Sequence, residues 1–164
     1  MYPVKLGYND AIKRVHALIK NGHDAEALLT AMFTAEKTLY RTLRLLVVSS
    51  GFPSTQADTL MGKFKGIENI KSVWACFDPK NEKLSDFTKQ GTLKSIADAQ
   101  TMRNKLVHGI AVYSPAHCQE VTNDVLTALD DLRQTLDQRY GFDGWTVIKR
   151  RIKSTLHADP RVKT

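Results

Sequence analysis

Three side chains in the second half of the chain have the types and spacing for chemistry on a phosphate: Arg103, Asn104 and His108, in the stretch RNKLVHG. An imidazole titrates near neutrality and can serve as base or acid. A guanidinium offers paired N–H donors to charge growing on a phosphate, and a carboxamide can orient either an imidazole or a phosphate oxygen. On a helix Asn104 and His108 are neighbours at a four-residue step, whereas Arg103 precedes His108 by five residues, about 140° around the axis. Arg103 therefore reaches the imidazole of its own chain only by bending back. Two copies related by a two-fold axis would instead place two Arg and two His around one phosphate.

A second group of residues bears on Arg103. Leu29, Phe33, Glu36, Tyr40, Leu43 and Val47 follow at three- and four-residue steps, so that one carboxylate interrupts an apolar row. Ile96, Ala99, Arg103, Leu106 and Ile110 form a similar row whose one charge is Arg103. An Arg in such a row needs a partner, and Glu36 is the expected one. It would align Arg103 without touching substrate, because a carboxylate facing phosphate repels it. Each feature also has a purely structural explanation. A half-buried Arg–Glu pair fixes helix register, and a His in the last turn interacts well with the helix dipole.

Arg103-Asn104-Lys105-Leu106-Val107-His108 resembles the R-polar-x-x-x-H motif of the HEPN superfamily, small all-α domains found in many toxin, defence and RNA-processing nucleases. The order of elements is similar too, over about residues 8–140: a long early helix, the motif near the end of a later one, and another long helix after it. The resemblance implies metal-independent RNA cleavage by a homodimer, with no cofactor and often with an antitoxin or regulatory protein as partner. It makes Arg103, Asn104 and His108 the catalytic residues. His108 would take the proton of a 2′-hydroxyl, whose oxygen attacks the adjacent phosphate and expels the 5′-oxygen. Arg150 and Arg151 with His157 also satisfy the looser spacing, but no small polar residue follows either Arg. A subgroup of toxins carries a Tyr four residues after the motif His, where its antitoxin modifies it. That position is Val112 here, with Tyr113 one residue later, so this form of control is not carried over.

The elements that must position these groups are helices throughout, since no period-two segment is persuasive. Helices are expected over residues 9–20, with Asn9 or Asp10 as cap, over 24–49, and over 54–78 with an interruption at Gly66. A loop is expected over 80–91, then helices over 92–108, 115–140 and 145–156. Ser114 should cap the helix that Pro115 begins. The expected fold is all-α, a HEPN-like up-and-down bundle of four main helices with shorter additions. One domain should span residues 1–164, with 144–164 as a basic C-terminal helix and tail.

The net charge of +7 biases the chain toward a polyanion. Lys149, Arg150, Arg151 and Lys153, together with Lys105, are the expected RNA contacts, with Arg161 and Lys163 beyond them in the tail. Cys76 and Cys118 show no ligand spacing, so no metal is expected. The remaining histidines, His16, His23, His117 and His157, form no constellation, and no glycine-rich phosphate loop or Ser-His-Asp pattern occurs. No apolar run has the length of a membrane span and no signal peptide is evident, which points to a cytoplasmic protein. Two other functions fit the same residues: a non-catalytic HEPN-like module that binds RNA or a nucleotide, and a helical interaction protein.

Overall fold

Ser114 and Pro115 open the last long helix as the sequence predicts. The Ser114 hydroxyl accepts from the His117 N–H at 3.2 Å, and Pro115 takes a position where a missing N–H costs no bond. A computed structural model describes residues 7–156 as seven helices: α1 (Tyr8–Lys20), α2 (Asp24–Ser49), α3 (Ser54–Met61), α4 (Ile67–Phe77), α5 (Leu84–Phe87), α6 (Thr92–Val107) and α7 (Pro115–Tyr140). No strand occurs among the described residues, and none of the helices is long and apolar enough to cross a membrane. The expected ranges 24–49 and 115–140 coincide with α2 and α7. Gly7, rather than Asn9 or Asp10, precedes α1, and the expected loop 80–91 contains the single turn α5.

Helix α2 is the axis of the molecule, packing against α1, α3, α4, α6 and most extensively α7. Leu28, Leu39 and Leu43 of α2 meet Ile70 and Trp74 of α4, Ile96 of α6 and Leu129, Leu132 and Leu136 of α7 in one fully buried core. Each such side chain contributes about 1.5–3 kcal/mol through loss of apolar surface from water.

Four threonines also lie on buried α2 positions at four-residue steps: Thr30, Thr34, Thr38 and Thr42. Each hydroxyl donates to the carbonyl four residues earlier at 2.7–2.8 Å, which satisfies the polar atom within its own helix and leaves a methyl toward the neighbours. Thr38 has a further duty, accepting from the Trp145 indole N–H at 2.9 Å. Thr34→Val should therefore change the unfolding free energy by under about 1 kcal/mol, whereas Thr38→Val strands an indole donor and should cost about 1–3 kcal/mol. Urea denaturation measures both, and equal costs would contradict the distinction.

At the C-terminal end of α7, Asp78 draws several elements together. Its carboxylate accepts from Arg139 Nε and Nη2, both at 2.9 Å, and from the Tyr140 hydroxyl at 2.6 Å. The backbone N–H groups of Lys80 and Glu82 add bonds of 2.9 and 3.0 Å. Trp74 donates to the Tyr140 hydroxyl at 3.0 Å, and the Arg139 guanidinium lies 4.0 Å from the Phe87 ring centre. The Asp78 side chain has 0% exposure. Burial alone would raise its pKa, but Arg139, Tyr140 and the two backbone donors outweigh burial and hold the carboxyl well below the usual carboxylate range.

The expected helix over 145–156 does not form; this stretch is an irregular strap lying along α2. Thr146, Val147, Ile148, Ile152 and Thr155 are β-branched and favour extended backbone, and three backbone groups of Arg151 and Thr155 find partners on the segment that follows α2. Ser54 N–H donates to the Arg151 carbonyl at 2.8 Å, Arg151 N–H to the Ser54 hydroxyl at 3.0 Å, and Thr155 N–H to the Gly51 carbonyl at 3.0 Å. Gly144 starts the strap so close to α2 that a β-carbon there would stand 2.5 Å from the Thr38 carbonyl oxygen. His157, Arg161 and Lys163 lie outside the described residues.

Candidate functional site

The glycine in RNKLVHG ends α6 in a Schellman motif. Gly109 N–H donates to the Leu106 carbonyl at 3.2 Å and Ile110 N–H to the Lys105 carbonyl at 2.9 Å, with Gly109 at a φ of +66°. A residue with a β-carbon would pay about 1–2 kcal/mol for that left-handed conformation. The consequence for chemistry is the placement of His108. It is the C-cap, φ −87° and ψ 4°, with its N–H bonded to the Asn104 carbonyl at 3.0 Å and its side chain exposed at the lip of the helix.

Arg103 is half-buried one turn earlier. Its Nη1 donates to Asn104 Oδ1 at 3.1 Å, and its guanidinium carbon lies 5.6 Å from the centre of the Phe33 ring on α2. The structure thus brings Arg103 and Asn104 together and leaves His108 apart, with no hydrogen bond between Arg103 and His108 among the described residues. Asn104, expected to orient the imidazole or a phosphate oxygen, holds the guanidinium in this single copy.

The expected Arg103–Glu36 pair is absent among the described residues. Glu36 follows Phe33 by three residues, which turns it about 60° away on the α2 surface. Phe33 is therefore the α2 residue that meets the guanidinium, and a cation over a ring face replaces the ion pair. Phe33 stood in the same sequence row as Glu36. A ring face carries no formal charge, so a row read for countercharges does not mark it.

Apolar side chains that touch Arg103, or follow it or His108 within four residues, are exposed. Phe33 is 53% exposed, Val107 55%, Ile110 72% and Val112 94%. Tyr113 turns from these side chains toward His117, with ring centres 5.8 Å apart. Of the expected RNA contacts, Lys105, Lys149, Arg150 and Lys153 are exposed. Arg151 serves the fold, donating from Nε to the Val48 carbonyl and from Nη1 to the Thr155 hydroxyl, both at 3.0 Å. Among the described residues no three His, Cys, Asp or Glu side chains converge as a metal-ligand set.

No family model, no curated protein and no solved structure matches this chain.

Proposed function

We propose that the chain is a metal-independent RNA endonuclease of the HEPN type, a toxin or defence enzyme whose site is completed by a second copy. The observation that carries this reading is the end of α6, where Arg103 and His108 are both reachable by solvent and bordered by Phe33, Val107, Ile110 and Val112. A second copy would cover these exposed apolar side chains and would bring its own Arg and His to the same phosphate. The long α2, the motif at the end of α6 and the long α7 after it support a HEPN-like plan of four main helices with α1, α2, α6 and α7 in those roles. An antitoxin or regulatory protein would have the same side chains available in the unpaired chain.

In this mechanism His108 removes the 2′-hydroxyl proton. The 2′-oxygen forms a bond to phosphorus as the bond from phosphorus to the 5′-oxygen breaks, and the leaving oxygen takes up a proton from the imidazolium of the second copy. Arg103 binds the phosphate oxygens as charge accumulates on them. Asn104 fixes the Arg103 guanidinium. Single-stranded RNA incubated with the protein in EDTA should yield fragments ending in a 2′,3′-cyclic phosphate, and light scattering should give the mass of a dimer. Intact RNA in the presence of dimer would overturn the catalytic reading. The separation of Arg103 from His108 within one copy favours a second reading, a HEPN-like module that binds RNA without cutting it.

A further inference from the structure

We infer that one face of α2 and the strap beside it form a track for single-stranded RNA leading to the Arg103 corner, a path that rests on the RNA-directed reading above. Phe33, Lys37, Arg41 and Arg44 succeed one another at three- and four-residue steps on α2, and the buried Val48 follows where the strap closes over the row. Arg103 stands over the first of them. The strap follows the same face, with Gly144 against Thr38 and Arg41, Arg151 on the Val48 carbonyl and Thr155 on the Gly51 carbonyl. From Thr38 to Gly51 the two run together for about 20 Å at helical rise.

The charge along this path is partly compensated, since Asp58 acts on Arg150 as well as Arg44 and Asp130, Asp137 and Asp143 line a pocket with Trp145. Arg44 is neutralised by Asp58 at 2.5 Å, but Lys37, Arg41, Lys149, Arg150 and Lys153 have no carboxylate within ion-pair distance among the described residues. Lys37 and Arg41 flank the Trp145 ring, 5.1 and 5.0 Å from its centre. Burial and the adjacent Arg41 charge push the Lys37 ammonium below its usual pKa, a like-charge cost that a bound polyanion relieves. Cations lined up along a groove suit a strand whose phosphates follow it, and the Trp145 ring, covered by Lys37, Arg41 and Tyr8, supports those cations. Val147 and Ile152, 92% and 82% exposed, would also suit an anionic membrane surface, but a linear row of charge ending at Arg103 and Phe33 favours the nucleic acid.

A 2′-O-methyl oligoribonucleotide binds such a track without being cleaved and is the probe. Five phosphate contacts predict a log–log salt slope of about −3.5, falling to about −2 in Lys37→Gln/Arg41→Gln, whose side chains still cover Trp145. Lys149→Gln/Lys153→Gln, on exposed strap positions, should lower the slope equally. Binding should quench Trp145 fluorescence, since Trp74, the other tryptophan, is wholly buried. An unchanged slope in both double variants, or no binding by the parent protein, overturns the track. Loss of cleavage in His108→Ala alongside an unchanged slope in the two double variants would leave the nuclease reading standing without this path. Intact RNA in EDTA together with the expected slopes would do the reverse. Binding to phosphatidylserine vesicles that both variants lose, without oligonucleotide binding, would replace RNA by a membrane.

Discussion

His108→Ala should lower the rate of RNA cleavage by about 10²- to 10⁴-fold, the usual contribution of a positioned acid or base. The fold should not notice. The imidazole is exposed, and the feature of residue 108 that secures the helix end is a backbone N–H, which alanine keeps. A change in unfolding free energy within about 0.5 kcal/mol is expected. Arg103→Ala should cost similar activity but slightly more stability, about 0.5–1 kcal/mol, through loss of the contact over Phe33. Arg103→Lys keeps the charge without the paired donors and should rescue little. Mixing the two inactive variants should restore part of the activity, because a mixed dimer retains one Arg and one His. Cleavage at the parent rate in both single variants removes these residues from the mechanism.

The largest stability effect should come from Asp78→Ala. Asp78 is fully buried and accepts from Arg139, Tyr140 and the backbone N–H groups of Lys80 and Glu82, so its removal leaves a largely buried guanidinium with the part-exposed Glu82 carboxylate as its remaining ion-pair partner. Breaking one partner of such a pair costs about 3–5 kcal/mol, a large share of the roughly 5–15 kcal/mol of a typical domain. The depressed pKa gives the pH dependence its sign. The folded carboxyl titrates below its unfolded counterpart near about 3.9, so its contribution is complete above that value and declines as pH falls further. Urea midpoints recorded from pH 6 downward should fall steeply below about pH 4 in the parent protein, and this component should be missing in Asp78→Asn. A parent protein with flat stability over that interval would contradict the ionised network.

Helix ends were the most legible part of the sequence because their signals are local. Ser114-Pro115, Asn21-Gly22 and His108-Gly109 each settle a boundary from a few adjacent residues. Residues 145–156 are hard to place for the opposite reason. Their basic side chains fit a helix or an extended chain equally well, and Gly51 and Ser54, which receive the strap's backbone bonds, lie about a hundred residues earlier. The site divides in the same way. Arg103, Asn104 and His108 could be singled out from spacing along one helix, while the partner of Arg103 depended on the rotation of α2, about which a shared row of residues says nothing. The Asp78 cluster joins residues 78, 82, 139 and 140, which no short window contains.

Because each threonine hydroxyl on α2 is directed into its own backbone, the row offers the surrounding helices contact but almost no orientation. Polar direction is therefore supplied at the margins: Trp145 on Thr38, Tyr8 on Asp130 and Arg139 on Asp78 act as pins at the edges of a largely apolar interior.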